Sequence, residues 1–308
     1  MIRCPITYEH ISTGKYSKNG LRLLSRNLKQ LQDFPYSSKQ QLELAIQYAA
    51  KLSIPGVQPK LSVRLNVAKG LFEIVETGGT FIFKPPHHIF DELPQNEDLT
   101  MRLAKAVGVE VPVHGMVYNQ DGTLTYFIKR FDRVGLGHKL AVEDFSQLLG
   151  YSRDTKYNSS MEKLITVIEK HCTFPKLEKV TFFRLTICNF LLGNEDMHLK
   201  NFSLIRRDDK VQLSPAYDLV NSSILVPSGE ELALPLAGKK SNLKYSDFVE
   251  YLGVSRLGLS QAVIADVFHA FTSKKELWLD LIQNSFLSEQ HKDKYLALVK
   301  SRWQRLSI

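Results

Sequence analysis

At 308 residues and 35.1 kDa the chain has length for one large domain or two modest lobes, each with its own core. Its 44% hydrophobic and 23% charged content excludes the disordered class, and three cysteines without paired spacing (Cys4, Cys172, Cys188) argue against a disulfide framework or a thiolate metal site. A formal charge of +8 suits an anionic partner, yet the basic residues are scattered, with small clusters only at Arg206-Arg207, Lys239-Lys240 and Lys274-Lys275, so most of that charge reads as a solvated face.

The start, Met1-Ile2-Arg3-Cys4-Pro5, has no apolar signal core, and no run approaches the roughly 18 apolar residues of a membrane span. A cytoplasmic protein without a membrane partner is expected. Residues up to about 50 read as a lead-in of polar turns followed by a helix from Ser38 through Leu52, with Leu42, Leu44, Ile46, Ala49 and Ala50 as its apolar stripe. Three strands are predicted next, Lys60 to Val67, Leu71 to Val75 and Thr80 to Lys84, separated by Lys69-Gly70 and Gly78-Gly79 turns that suit an antiparallel meander. From Pro94 the recurrence of Leu99, Leu103 and Val107 predicts a helix stopped at Gly108, followed by strands Val111 to Tyr118 and Thr123 to Phe131 around an Asn119-Gln120-Asp121-Gly122 turn.

After Arg133 the pattern turns helical: Val142 to Leu149, Met161 to His171 and Leu177 to Leu192. Two short strands, Phe202 to Arg206 and Val211 to Leu213, bracket an Arg207-Asp208-Asp209-Lys210 turn, and from Tyr245 the chain reads as helices. The expected fold class is α+β: a two-lobed, protein-kinase-like fold with a β-rich N-terminal lobe carrying a helix (residues 1–132) and a mainly helical C-terminal lobe (residues 133–308). On such a plan a nucleotide binds in the cleft.

Within the helical half lies Gly193-Asn194-Glu195-Asp196-Met197-His198-Leu199-Lys200-Asn201-Phe202, followed by Ala216-Tyr217-Asp218-Leu219. Asp196 and Asn201 have the Asp-to-Asn spacing of a kinase catalytic loop, and Asp218 lies where a second metal-binding carboxylate belongs. Phosphoryl transfer needs these types: a carboxylate to receive the attacking hydroxyl proton, and oxygen ligands such as Asn201 and Asp218 for Mg²⁺, a hard cation. The bland alternative makes Asp196 a turn residue and Asp218 a loop cap. His198 is a candidate donor to the transferred phosphate or, equally, a histidine bonding a loop carbonyl.

Upstream, Ser53-Ile54-Pro55-Gly56-Val57-Gln58-Pro59-Lys60 could bring backbone amides to phosphate oxygens, although a single glycine also describes an ordinary turn. Lys84 ends an apolar strand and is placed to contact nucleotide phosphates, with Glu97 as its holder in competition with Glu92 and Asp98. Adjacent His87 and His88 have no partner at ligand spacing and read as loop residues.

Together with Lys129-Arg130-Phe131-Asp132-Arg133 and Glu143-Asp144-Phe145, these motifs resemble the HipA-like serine/threonine kinases of bacterial toxin-antitoxin systems, from about Tyr16 to about Asp218. Gly14-Lys15-Tyr16-Ser17 through Leu24-Ser25 is similar to the opening of HipT, the short form in tripartite HipBST systems. The resemblance implies a toxin kinase using ATP and Mg²⁺, autophosphorylating at Ser53 and acting on a protein substrate of the aminoacyl-tRNA synthetase class. It implies Ile54 to Lys60 (Ile54, Pro55, Gly56, Val57, Gln58 and Lys60) as phosphate loop, Lys84 on nucleotide phosphates, Lys129 to Phe131 as adenine hinge, Asp132 near the ribose and Tyr217 beside the nucleotide. Asp196 becomes the catalytic carboxylate, with Asn201 and Asp218 on Mg²⁺. Pro55 stands where some HipT chains have a second serine, leaving Ser53 alone.

HipA-like chains carry a further N-terminal subdomain, and only 52 residues precede Ser53 here. A small HipS-like antitoxin is therefore expected to supply that part in trans, beside a HipB-like protein through which the complex would meet DNA. A small-molecule phosphotransferase and a catalytically silent kinase-fold binding module are the alternatives.

Overall fold

The computed structural model describes residues 2–49, 58–135, 138–152, 155–226 and 228–308. They form two compact units: Met1–Asp98 with Pro112–His138 and Asn284–Leu287, and Leu99–Val111 with Lys139–Gln283 and Ser288–Ile308. The proposed phosphate-loop residues Ser53, Ile54, Pro55, Gly56 and Val57, and the last residues of the helix predicted to Leu52, lie outside the described residues.

The first unit is built on an antiparallel sheet. Its strands are β3 (Leu61–Asn66), β4 (Leu71–Ile74), β5 (Phe81–Lys84), β6 (His114–Tyr118) and β7 (Leu124–Lys129), in the order β4-β3-β5-β7-β6. Leu61, Val63, Phe81 and Phe83 are buried in one core, and Ser62 and Lys84 beside them are buried as well. Phe72, Phe81, Phe83 and Phe127 form an aromatic cluster, with Phe72 4.9 Å from Phe83 and 5.1 Å from Phe81 between ring centroids.

The first 49 residues are not a lead-in. A short pair, β1 (Ile2–Arg3) with β2 (His10–Ile11), and the helices α1 (Lys18–Leu24) and α2 (Ser38–Ala49) send Cys4, Ile6, Leu21, Leu24, Phe34 and Ala45 into the same core as Leu61, Phe83 and Phe127. The helix expected from Ser38 is there as α2, whereas the apolar residues before it are too sparse for a clear period, so the tertiary contact with the sheet decides where they sit. Ser17 caps α1 by accepting the Gly20 amide at 3.0 Å. Along β6 the Met116 amide donates to the Pro5 carbonyl at 3.2 Å and Phe34 bridges Asn119, so this edge is covered by the chain itself. On the other side β4 is the outer strand, met at its start where the Gln32 amide donates to the Gly70 carbonyl at 2.8 Å.

Helix α3 (Leu93–Ala106) begins in the first unit and ends in the second. The second unit centres on α6 (Pro175–Leu192), which starts with proline in its first turn and is buried without interruption from Leu185 to Leu192. The predicted helix Val142 to Leu149 is in fact a strand followed by a short helix: β8 (Val142–Asp144) pairs with β9 (Ser203–Arg207), Val142 opposite Ile205, and α4 covers only Phe145–Leu148. The break falls at Asp144 because its side chain accepts the Gln147 amide while the Gln147 side chain returns to the Asp144 amide, a capping box that starts the helix there. A third strand, β10 (Lys210–Leu213), completes this sheet, and α5 (Met161–His171) lies next to α6.

The back of the unit is helical: α7 (Asp247–Arg256, with the wider π pattern), α8 (Gln261–Thr272), α9 (Lys275–Gln283) and α10 (Glu289–Arg305). Trp278, Tyr295, Val299 and Trp303 are buried there, and the Trp278 indole donates to the Leu103 carbonyl at 3.0 Å. Among the described residues no helix is long and apolar enough to cross a membrane.

Phe34, 1% exposed and 4.9 Å from the Phe83 ring, gives the direct test of the N-terminal segment's role. Phe34→Ala is expected to lower unfolding stability by about 3–5 kcal/mol in urea titrations. A segment outside the core would lose less than about 0.5 kcal/mol.

Candidate active site

In the second unit everything begins where α6 stops. Gly193 takes the left-handed φ of +72° that ends the helix, and a Cβ there would come within 2.6 Å of the Asn221 amide oxygen. The following loop is tied at each residue. The Asn194 side chain donates to Asn189 Oδ1 at 3.0 Å, the Glu195 amide donates to Ser222 Oγ at 2.8 Å, and the Asp196 amide donates to Asn194 Oδ1 at 3.2 Å. Asn201 Nδ2 then donates back to the Asp196 carbonyl at 3.0 Å, closing the loop between the two residues that the spacing singled out.

Glu195 is buried and paired with Arg302 from α10 at 3.4 Å, with Ser223 and Ser228 donating to its two carboxylate oxygens. The Arg302 guanidinium also donates to the Phe190 carbonyl at the end of α6. The sequence offers no signal for this pair, since its members lie 107 positions apart and neither belongs to a recognisable motif.

His198 is 6% exposed. Its Nε2 accepts from the Lys156 ammonium at 2.7 Å, because an ammonium has no acceptor to offer. Its Nδ1 has no hydrogen-bond partner among the described residues, so the loop-carbonyl alternative for this ring is not what the structure holds. Burial moves the imidazole pKa down and Lys156 adds to this, while the Asp196 and Asp218 charges oppose, leaving the net shift downward and the ring neutral near pH 7. Tyr157, beside Lys156, donates its hydroxyl to Asp196 Oδ1 and sets its ring edge-on to His198 at 5.1 Å. Lys156 and Tyr157 belong to no motif that sequence reading could have picked out.

Tyr217 is held by its hydroxyl, which donates to the Lys200 carbonyl at 3.0 Å and meets Ser203 Oγ in a short contact. Next to it Asp218 adopts φ +55°, a left-handed conformation that a non-glycine residue keeps only where its surroundings impose it. Among the described residues no group of three or more His, Cys, Asp or Glu could hold a metal. An Asn201 oxygen and an Asp218 carboxylate fit Mg²⁺ nonetheless: with Nδ2 engaged by Asp196, the amide oxygen is the atom left to ligate, and Mg²⁺ needs only one or two protein ligands beside water and phosphate.

The first unit carries the second group. Lys84 ends β5, is 3% exposed, and pairs with Glu97 at 2.5 Å, with the Tyr126 ring centroid 5.7 Å from its ammonium. Of the three acids considered, Glu97 pairs with Lys84, and Asp98 is engaged by His114 at 2.9 Å. Lys129 and Phe131 flank the end of β7, where the Lys129 amide donates to the Val113 carbonyl at 2.7 Å and the Arg130 amide to the Thr80 carbonyl at 2.9 Å. Asp132 is clamped: Arg130 donates to both its oxygens, at 3.0 and 2.9 Å, and Arg133 adds a third contact. Burial pushes its pKa up, but the two guanidinium groups outweigh this and hold it below the ordinary carboxylate value. Gln58, within the segment assigned to phosphate, has a buried side-chain nitrogen without a partner among the described residues. His87 and His88 stack at 4.7 Å, and His87 Nδ1 accepts the Ile89 amide, as loop residues do.

Breaking the Lys84–Glu97 pair from either side should be costly. Lys84→Met and Glu97→Gln are each expected to lose about 3–5 kcal/mol in urea unfolding, and the double variant clearly less than the sum. Additive losses would mean that the two side chains are not coupled.

Comparison with known proteins places these features in a wider group. The profile of the HipA-like C-terminal domain matches residues 52–278. A putative kinase of Haemophilus influenzae is 28% identical over 95% of this chain and 93% of its own length. A putative kinase of Sinorhizobium fredii, Y4dM, is 32% identical over 76% of this chain and 60% of its own. The serine/threonine-protein kinase toxin HipA of Shewanella oneidensis is 30% identical over 60% of this chain and 47% of its own length. Among solved structures, a chain of the Shewanella oneidensis MR-1 toxin-antitoxin complex of HipA, HipB and operator DNA superposes with TM-score 0.69 at 23% identity, covering 91% of this chain and 74% of that one. The Helicobacter pylori proinflammatory kinase CtkA does so with TM-score 0.55 at 18% identity, covering 73% of this chain and 86% of its own. The mixed helix-and-sheet fold is thus that of HipA and CtkA.

Proposed function

The chain belongs to the HipA-like C-terminal domain family, and on that footing we propose that it is an ATP-dependent serine/threonine protein kinase acting as the toxin of a toxin-antitoxin system. The observation that carries the reading is the 3.0 Å bond from Asn201 Nδ2 to the Asp196 carbonyl, which fixes a carboxylate and an amide oxygen in one short loop beside a neutral, buried His198. Kinase-named relatives and the fold shared with HipA and CtkA support it.

In this reading Asp196 accepts the proton of the acceptor hydroxyl through the carboxylate oxygen that Tyr157 leaves open. His198 offers its Nδ1–H to phosphoryl oxygens, and Lys84, held by Glu97, contacts the α- and β-phosphates of ATP. Asn201 and Asp218 hold Mg²⁺, which supplies charge neutralisation at the phosphate oxygens. Tyr217 and the hinge residues Lys129 to Phe131 flank the nucleotide, with Asp132 at the ribose.

The finer reading follows the HipT-like opening: a synthetase-class protein substrate, autophosphorylation at Ser53, a HipB-like DNA-binding partner and a small HipS-like antitoxin. The Shewanella HipA was solved with HipB and operator DNA, which supports the HipB-like partner. A phosphate on Ser53 would set about −1.5 to −2 charges beside the segment assigned to ATP phosphates and so oppose nucleotide binding.

Incubation with ATP, Mg²⁺ and a cell extract, read by phosphoproteomics, tests the activity. Asp196→Asn is expected to cut transfer by about 10²- to 10⁴-fold with ATP affinity retained, whereas Asp218→Asn should weaken Mg²⁺-dependent nucleotide binding in calorimetry. Wild-type turnover by Asp196→Asn would overturn the assignment. Intact mass after incubation with ATP should rise by one phosphate in the wild type and not in Ser53→Ala; a phosphate retained by Ser53→Ala would move the modified site.

A further inference from the structure

The segment just before α5 is docked on the catalytic loop by more than packing. Lys156 donates to His198 Nε2 at 2.7 Å and its carbonyl accepts the Leu199 amide at 3.3 Å, while Tyr157 donates to Asp196 Oδ1. The Lys156 ammonium also lies 4.9 Å from the centroid of the Tyr157 ring, whose edge faces His198. Two adjacent residues outside the loop thus each hold one of its two reactive side chains, and a backbone bond fixes their register on it. The Asn158 amide returns to the Thr155 carbonyl at 2.9 Å, which turns the chain so that both side chains face the loop.

Resting on the kinase reading above, we propose that Lys156 and Tyr157 are positioning residues for phosphoryl transfer: Lys156 selects the His198 tautomer that donates from Nδ1, and Tyr157 fixes the rotation of the Asp196 carboxylate.

The chemistry of each contact is specific. A neutral imidazole carries one proton. With Nε2 accepting from an ammonium, that proton sits on Nδ1, the buried atom without a partner among the described residues. Without Lys156 the ring is free to move its proton to Nε2, and a donor to phosphoryl oxygen becomes an acceptor, which repels it.

Asp196 has a different weakness. The terminal torsion of an aspartate is broad and nearly two-fold, so its backbone bonds alone do not choose which oxygen faces the substrate. A phenol donating to Oδ1 through a charge-assisted bond makes that choice and leaves Oδ2 for the acceptor hydroxyl. Burial and the neighbouring Asp196 charge push the Tyr157 pKa up, so the phenol remains a donor through the physiological range. Tyr157 is 41% exposed, so its substitution need not disturb the core.

The test is kinetic and spectroscopic on the full chain, with ATP, Mg²⁺ and a degenerate serine/threonine peptide library as acceptor. Tyr157→Phe keeps the ring contact with His198 and is expected to lower kcat about tenfold or more with KM for ATP within about twofold. In an Asp196→Asn background the same change should cause no further loss, since the carboxylate it orients is gone. Lys156→Met is expected to lower kcat similarly, and ¹⁵N spectra of the His198 ring at pH 8, assigned with His198→Gln, should pass from one Nδ1–H tautomer to a mixture. Lys156→Arg should restore both, because it keeps a donor to Nε2. An active wild type with Tyr157→Phe at or above its kcat, or a His198 ring already mixed in the wild type, overturns the proposal. A wild type that transfers no phosphate to protein or peptide defeats the kinase reading and this proposal with it, so the two failures are distinguishable.

Discussion

The loop that carries Asp196 and Asn201 depends on one buried ion pair, Glu195 with Arg302. Both side chains are almost wholly removed from water, 7% and 8% exposed, and desolvating two charges costs several kcal/mol per ion before any attraction is counted. The arrangement persists because each charge has further partners. Ser223 and Ser228 donate to the carboxylate, and Arg302 reaches the Phe190 carbonyl and lies over the Phe190 ring at 5.0 Å. Such a pair adds little net stability relative to an apolar replacement, but loss of either partner would leave the other charge buried and unpaired. Through it the position of Asp196, the next residue, is set by α10 at the far end of the sequence. Arg305, one turn on, pairs with Glu231, whose carboxylate accepts the Leu243 amide at 2.9 Å, so the same helix also orders the long segment that follows Asp218.

Two left-handed residues flank the same loop in sequence. Gly193 and Asp218 both take left-handed φ, at +72° and +55°. For the glycine this costs little, whereas for the aspartate it costs of the order of 1–3 kcal/mol, stored in a residue whose carboxylate is assigned to a cation. The neighbouring Tyr217 helps to hold it there: its partly buried ring has its hydroxyl bonded to Lys200 and Ser203, which ties the chain on that side. Conformational cost at Asp218 is thus offset by hydrogen bonds made one residue earlier.

Legibility in the sequence followed the range of the interactions. The strands β3, β4, β5 and β7 announce themselves as short apolar runs bounded by turn residues and the helices α5 and α6 by apolar residues at helical spacing, and Asp196, Asn201 and Asp218 stood out because their spacing is local. The residues before Ser38 did not, since Cys4, Ile6 and Phe34 are isolated apolar residues whose partners, such as Phe83 and Phe127, come much later in the chain. The helix predicted from Val142 failed at its start for a local reason that was present in the sequence: Asp144 followed three residues later by Gln147 is a helix-opening signal, and reading it would have put Val142 outside the helix. Lys156, Tyr157 and Arg302 were out of reach in principle, because each acts on a residue 39 to 107 positions away.

A buried histidine between two carboxylates would ordinarily be pulled toward the imidazolium, since Asp196 and Asp218 both favour its charged form. Burial and the Lys156 ammonium act the other way, and the balance keeps the ring neutral. The placement of the positive charge is what differs from a lysine set directly in the loop. Here the cation lies behind the imidazole, on Nε2, and the face left for a ligand is a neutral N–H. In the proposed reaction a neutral donor would bind an anionic oxygen less tightly than an ammonium does, and so would be easier to leave once the phosphate has moved. The full charge of Lys156 would still contribute through the ring, by polarising Nδ1–H, without contacting the group that reacts.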